Sequence, residues 1–333
     1  MDLVYDLSTK NGSFIKMYMY LKAHGVRNNS FMLALTHREL LGVNPYDLNL
    51  STEKKMMIVD ECERNIWYFL REVVRIPTQG ANNARFELNQ NNCATIFNFC
   101  LSVPTWSTSP RMTFRTMSIK MIEIWNALFR NGISKSIARY DEAFIFDRTI
   151  GSLPDYLTKA KKIIRKIKGD DVGLYHNTTF AFSPDQINKD DGFAEGANII
   201  HFSDAEYFPH IGDIYKNHED IFKAYRNRYM ALCAQSSGMI SEYDAKPFGL
   251  FFESTISDNA AEYGAIDIID SFVRWKNDFY DWPAEYFSEV KGFYIYTGYK
   301  DLGYDDEWLK SRSLELNNDQ DVIRRELLCK RLN

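Results

Sequence analysis

Ser109-Pro110-Arg111-Met112-Thr113-Phe114-Arg115-Thr116 is the stretch on which the reading of this 333-residue chain turns. It has the frame of a strand-to-helix connection. The short segment Thr105-Trp106-Ser107-Thr108 precedes it, and an apolar pattern of helical period covers residues 117–130 after it. A phosphate-binding loop occupies this kind of connection. It needs small residues so that backbone N–H groups can wrap the phosphates, a Lys for the terminal phosphates, and a Ser or Thr hydroxyl for Mg²⁺. Thr116 offers the hydroxyl, but Arg115 stands in the Lys place and Phe114 in the Gly place. The frame is present and two of its fittings are changed.

Composition sets the surroundings of that loop. Apolar residues at 45% and charged residues at 26% describe a globular chain long enough for one large or two ordinary domains. A net charge of −5 gives no overall electrostatic footprint for nucleic acid. The 20 Tyr and 23 Phe point to a heavily packed interior or an interaction surface. Five dispersed cysteines without a CxxC pair favour a reduced, intracellular chain and disfavour zinc. No apolar run of about 18 residues occurs, so no membrane helix is expected, and the start of the chain does not read as a signal peptide.

Outward from the loop, residues 13–24 read as a helix with Phe14, Met17, Tyr18 and Leu21 on one stripe. Ser51 reads as the N-cap of a long helix running on through Trp67-Tyr68-Phe69-Leu70, whose rings are taken as core. The composition break at Thr78-Gln79-Gly80 to Asn83 separates a helical subdomain, 1–80, from an α/β region, 81–333. Ala197–Phe202, Gly249–Glu253 and Phe293–Tyr296 read as strands. Helical patterns lie at 117–130, 155–167, 213–234 and 319–330, the last capped by Asn318 or Asp319. Strands interleaved with helices imply an α/β fold with a mostly parallel central sheet flanked by helices.

Two further strand ends carry chemistry. Ala197–Phe202 runs into Ser203-Asp204-Ala205-Glu206, and carboxylates at such a position can hold Mg²⁺ or activate a water. Gly249–Glu253 runs into Ser254-Thr255, whose hydroxyls could sense a phosphate. In a parallel sheet the three strand ends would meet in one crevice. The histidines, among them His176, His201, His210 and His218, have no metal-ligand spacing and read as structural. The basic run Lys159–Lys168 reads as an amphipathic helix with a solvated face.

Together these segments resemble the large terminase subunit of tailed bacteriophages, the ATPase that drives DNA into the procapsid, and most nearly the large-phage versions. The resemblance spans nearly the whole chain. It is carried by Glu61-Cys62-Glu63-Arg64-Asn65-Ile66-Trp67-Tyr68-Phe69-Leu70 through Pro77, and by Phe86-Glu87-Leu88-Asn89-Gln90-Asn91-Asn92-Cys93-Ala94 in the place of an adenine-side motif. Asp147-Arg148-Thr149 with Leu153-Pro154-Asp155-Tyr156-Leu157 carries it further, as do Leu302-Gly303-Tyr304-Asp305, Trp308 and Leu316-Asn317-Asn318-Asp319 through Glu326.

The resemblance implies a P-loop NTPase fold with a helical N-terminal subdomain and Ser109–Thr116 as the Walker A element. Pro110, Arg111 and Thr116 fit the family's Pro-Arg-x-x-Gly-Lys-Thr; Phe114 and Arg115 do not. It implies nucleotide contacts from Asn89, Gln90, Pro110, Arg111, Thr113, Arg115 and Thr116. Mg²⁺ would fall to Thr116 and Asp204, and catalytic roles to Asp204, Glu206 and Thr255. Ser203-Asp204 stands where the family has Asp-Glu, while Ser254-Thr255 fits its coupling motif. A bulky Phe in a phosphate loop, an Arg for the compact Lys ammonium and a Ser for the metal acid each weaken hydrolysis.

The resemblance therefore implies a packaging protein with impaired or lost hydrolysis, using ATP and Mg²⁺ only if the site works. The alternatives are an active motor with a variant loop and a non-enzymatic assembly protein. Its expected partners are the portal or procapsid, active terminase subunits, double-stranded DNA and further copies of itself on the portal, and no membrane. Its expected place is the cytoplasm of an infected bacterium. The family continues into an RNase H-like nuclease domain, whereas this sequence stops after the part resembling the ATPase.

Overall fold

The structure is a computed structural model. It describes residues 4–76, 84–111, 113, 115–130, 132–137, 143–159, 165–167, 170–173, 178–181, 197–217, 219–220, 223–224, 227, 247–255 and 263–330.

The N-terminal part is held by short pairings and one apolar core. β1 (Val4–Tyr5) pairs antiparallel with β2 (Ala34–Leu35) across α1 (Gly12–Ala23), which buries Phe14, Met17 and Leu21 as its spacing predicts. Ser51 caps α2 (Thr52–Arg64), its hydroxyl accepting the Lys54 N–H at 3.2 Å. The expected continuous helix through Leu70 is broken at Asn65. That side chain accepts the Tyr68 N–H and donates to the Ala34 carbonyl and to Glu61. An Asn that satisfies backbone groups locally competes with helix continuation. The chain restarts as α3 (Ile66–Tyr68) and passes through a π-helical turn at Phe69–Val73.

β3 (Arg75–Ile76) and β4 (Ala84–Arg85) pair antiparallel, and the expected boundary at Thr78–Asn83 lies between them, outside the described residues. The core itself is continuous across it. Phe14, Tyr68 and Phe86 belong to the same buried cluster as Ile122 and Phe251.

α4 (Gln90–Cys100) leads into β5 (Thr105–Thr108), the loop, and α5 (Arg115–Phe129). The remaining strands are β6 (Ser134–Ile137), β7 (Arg165–Ile167), β8 (Asp170–Gly173), β9 (Thr178–Ala181), β10 (Ile199–Phe202), β11 (Gly249–Ser254), β12 (Val273–Arg274) and β13 (Phe293–Tyr296). Seven of the strands form one sheet in the order β12-β13-β5-β11-β10-β6-β9, every neighbouring pair parallel. The strands at Ala197–Phe202, Gly249–Glu253 and Phe293–Tyr296 are thus present. So is the mostly parallel central sheet flanked by helices.

The period-2 alternation of strands gives the sheet two unlike faces. On one, Trp106, Phe252 and Phe202 lie side by side in register, with ring centroids 5.1 and 5.2 Å apart and nearly parallel planes. They pack with Ile268, Phe272 and Phe208. The other face is mixed. It presents Ile199 and Phe251 to α4 and α5, but also Ser107, Ser136, His201 and Glu253, all buried.

α5 is fastened to that face at its far end by a reciprocal amide pair. Asn126 Nδ2 donates to Asn198 Oδ1 at 3.1 Å, and Asn198 Nδ2 returns a bond at 2.8 Å while also reaching the Pro247 carbonyl. Gly132 makes the turn beside it possible, since a Cβ there would fall 2.2 Å from Asn126 Oδ1.

The expected helix over 155–167 is corrected. It ends at Asp155–Lys159, and Arg165–Ile167 instead forms β7, antiparallel to β8. The basic run carries Ile163, Ile164 and Ile167, and β-branched residues favour extended backbone. Of the pattern at 213–234, residues 213–217, 219–220, 223–224 and 227 are helical; the remainder lies outside the described residues, as do His176 and His218. Asp319 caps Gln320–Glu326, its side chain accepting from Asp321 and Val322.

Asn126→Leu keeps the volume of the buried amide but leaves Asn198 without its partner. The expected loss is about 1–3 kcal/mol of stability, read from urea unfolding. A loss no larger than that of an exposed polar-to-Leu change would contradict the fastening role.

Candidate functional site

The loop is ordered by its own hydroxyls. Thr113 Oγ1 donates to the Pro110 carbonyl at 2.6 Å and lies 2.9 Å from Ser109 Oγ. Met112 and Phe114 are outside the described residues. Arg111 turns outward from the crevice: its N–H donates to the Glu326 carbonyl at 2.9 Å, and its guanidinium pairs with the Glu326 carboxylate. The loop is thereby tied to the last helix of the chain. Asn89 and Gln90 begin α4, where Asn89 forms a capping box with Asn92 and extends Nδ2 to within 3.5 Å of the Thr113 carbonyl.

Arg115 reaches into the sheet edge. Its Nη1 donates to the Ser109 carbonyl at 2.8 Å and to the Ser254 carbonyl, so it ties the C-terminal ends of β5 and β11 together. Its Nε is 3.6 Å from Glu253 Oε2, and Nη2 is 4.0 Å from Asp204 Oδ1.

Glu253, fully buried at the end of β11, is the centre of the arrangement. The Thr116 hydroxyl donates to its Oε1 at 2.5 Å and the Ser203 hydroxyl to the same oxygen at 2.8 Å. His201 Nε2 is 3.6 Å from that oxygen. Burial opposes the carboxylate charge, but His201, Arg115 and the Thr116 hydroxyl outweigh it and hold its pKa below the usual range.

Asp204 sits in the left-handed region at φ 54°, a conformation Asp tolerates, and opens the short turn Ala205–Tyr207. That turn brings Glu206 back under the sheet edge. Its Oε1 accepts the Thr255 N–H at 3.0 Å and the Thr255 hydroxyl at 3.2 Å. Burial and the Asp204 charge push the Glu206 carboxyl up to about 7, against the pull of Arg115. Asp204, Glu206, Thr255, Arg115 and Thr116 therefore converge at one edge.

Behind Thr116 the buried face of α5 continues with Lys120 and Glu123, at the i, i+4, i+7 spacing of one helix stripe. Lys120 Nζ bonds Glu123 at 3.1 Å and Ser136, and lies 3.3 Å from His201 Nδ1. Burial and Lys120 lower the His201 pKa, but contacts with Glu123 and Glu253 prevail and raise it to about 9. His201 is fully buried between Glu123 and Glu253. A line of acids and bases thus runs from Lys120 through Glu123, His201 and Glu253 to Arg115 and Asp204.

Sequence reasoning passed over Glu253 and Lys120. The available signals were an acid closing an otherwise apolar strand and the Thr116, Lys120, Glu123 spacing inside an apolar helix.

Mg²⁺ and a nucleotide triphosphate do not fit these residues as they stand. The acid on the Thr116 hydroxyl faces a guanidinium and an imidazole. Arg115 Nη1 is engaged by two backbone carbonyls, and its Nε faces Glu253. Among the described residues no group of three or more His, Cys, Asp or Glu side chains is placed to hold a metal.

Strand order, the loop after β5 leading directly into α5, and the convergence of β5, β10 and β11 ends define the class: an α/β protein whose seven-stranded central sheet is parallel throughout. No family model matches the chain, and no curated protein matches it in sequence. Among solved structures, the large terminase of bacteriophage HK97 aligns with a TM-score of 0.45 at 11% identity, over 85% of this chain and 56% of that one. The chain thus spans little more than half the length of that protein.

Two outcomes follow from the charge line. Glu253→Gln leaves Arg115 and His201 facing a neutral amide in a buried site, with an expected cost of about 3–5 kcal/mol in equilibrium unfolding. A loss within that of a surface charge would remove Glu253 from the centre. For His201, a raised folded pKa means that its stabilisation is complete below 6.5 and is lost as pH rises through about 9. Melting temperature should therefore fall across that window, and His201→Asn should flatten the fall.

Proposed function

We propose that this protein is a terminase-like packaging protein of P-loop architecture whose nucleotide site has lost hydrolysis. The observation that carries the reading is Arg115, which binds the Ser109 and Ser254 carbonyls and faces Glu253 where a phosphate-binding cation would face a ligand. The motif-by-motif resemblance to phage large terminases supports the family side. The sheet order supports the architecture. In this reading the chain works in phage DNA packaging or virion assembly in the cytoplasm of an infected bacterium. It docks on the portal, the procapsid, an active terminase subunit or double-stranded DNA, with several copies on the portal. Bound ATP and Mg²⁺ are not part of its working state.

A second reading, a working ATPase with a variant loop, is favoured by one feature. Glu206 is buried at the crevice with its carboxyl raised to about 7, the range in which a side chain exchanges a proton at neutral pH.

Calorimetric titration of Mg·ATP into the natural chain, beside Phe114→Gly/Arg115→Lys, separates these readings. We expect no heat of binding from the natural chain. The double variant, freed of the Arg115 fork, should bind at least tenfold more tightly. Micromolar binding by the natural chain, with turnover in a steady-state assay, would replace the first reading by the second. Silence from both chains would leave an assembly protein that keeps only the architecture.

A further inference from the structure

Away from the crevice, the short ribbon of β3 and β4 concentrates positive charge that its own surroundings do not balance. Arg75 and Arg85 are direct partners across the two strands. Residues directly opposite in an antiparallel pair share a face of the ribbon, with Cβ atoms about 5 Å apart, and like charges there are destabilising. A third guanidinium, that of Arg71, comes from the π-helical turn that leads into β3. Among the described residues, the one carboxylate within ion-pair distance of any of the three is Glu72. That carboxylate is already shared. Its Oε1 accepts from Arg71 Nε at 3.0 Å and from the Thr9 hydroxyl, and its Oε2 is 3.5 Å from Arg85 Nη1. Arg71 Nη2 is still buried without a hydrogen-bond partner.

Three guanidiniums thus face one acid, and the surplus is not dispersed in open water. Arg71 is fully buried, Glu72 nearly so, and Arg75 and Arg85 are half-buried. Burial lowers the Arg75 pKa, and the Arg85 charge adds to that fall against the pull of Tyr46 and Glu72. Arg75 is also held in place. Its guanidinium lies over the Tyr46 ring, 4.5 Å from the centroid, and Nη1 donates to the Val74 carbonyl at 2.8 Å. Tyr46 is fixed in turn by donating its hydroxyl to the Val73 carbonyl at 2.6 Å. A guanidinium stacked on a ring keeps its edge donors and has little freedom left to lose when an anion arrives.

We propose that Arg75 and Arg85 form an anion site for a phosphate group, whose oxygens bridge the two guanidiniums. Planar forks of this kind recognise phosphate through paired N–H donors, and a bound anion turns the opposed like charges into an attraction. A nucleic-acid backbone and a free phosphate present the same oxygens to such a site. The site stands on other elements than the crevice and does not depend on the reading of Ser109–Thr116.

The test compares thermal melting of the natural chain and Arg85→Gln in sodium phosphate and in sodium chloride at equal ionic strength. Phosphate should raise the melting temperature of the natural chain above its value in chloride. Arg85→Gln should weaken phosphate binding about tenfold or more, read from the concentration dependence of that rise. In chloride the variant should melt no lower than the natural chain, because one of two opposed like charges is gone. A natural chain indifferent to phosphate overturns the proposal. So does a rise that survives Arg85→Gln, which would belong to another part of the protein. A variant that melts lower in chloride overturns it too, by making Arg85 a structural partner of Glu72.

Fluorescence anisotropy of a labelled DNA duplex then separates the two sources. If the group is a backbone phosphate, Arg85→Gln should weaken duplex binding and reduce the slope of log affinity against log salt by about 1. Equal duplex binding by both chains, beside the lost phosphate rise, assigns the site to a free phosphate.

Discussion

The buried carboxylate of Glu253 is the constraint on which the rest of the crevice depends. A charge removed from water must be matched by hydrogen bonds and opposite charge. Here four groups do the matching: Arg115 and Thr116 from the start of α5, His201 from β10 and Ser203 from just beyond it. Each of these is thereby fixed by a group on a different element. Arg115, once drawn in, ties the ends of β5 and β11 together through two carbonyls.

The sheet separates two tasks by face. The ladder of Trp106, Phe252 and Phe202 supplies apolar contact and carries no charge. The opposite face carries His201, Ser136, Ser107 and Glu253 under α4 and α5; Ser136 pairs with Lys120 and Glu253 with Thr116 of α5, and Ser107 with Asn91 of α4. Such a seam adds less burial energy than an apolar one but fixes the register of α5 against the sheet, because a shift by one residue would strand Lys120 and Glu123. Nearby, Asn126 and Asn198 serve the same end with neutral groups.

Alternating apolar segments at Ala197–Phe202, Gly249–Glu253 and Phe293–Tyr296 were legible because burial of both faces forces a short apolar run. The caps at Ser51 and Asp319 were legible because their chemistry is local. Asn65 was not, since its competing partners, Ala34 and Glu61, lie on other parts of the fold or one turn back. The basic run failed for a related reason: its isoleucines suit a helix stripe or a strand equally, and pairing with Asp170–Gly173 chose the strand.

By itself the sequence determined the α/β class, the place of the loop and the two strand ends that share its edge, because periodicity, caps and small-residue frames are properties of neighbouring residues. It also showed that Phe114, Arg115 and Ser203 depart from a phosphate-binding pattern. Only the tertiary structure decided what those departures amount to. That Arg115 reaches the Ser109 and Ser254 carbonyls, and that Ser203 meets Glu253, depends on which strands lie side by side. That adjacency is set by sheet order, through contacts between residues as far apart as Thr116 and Glu253, and no local pattern records it.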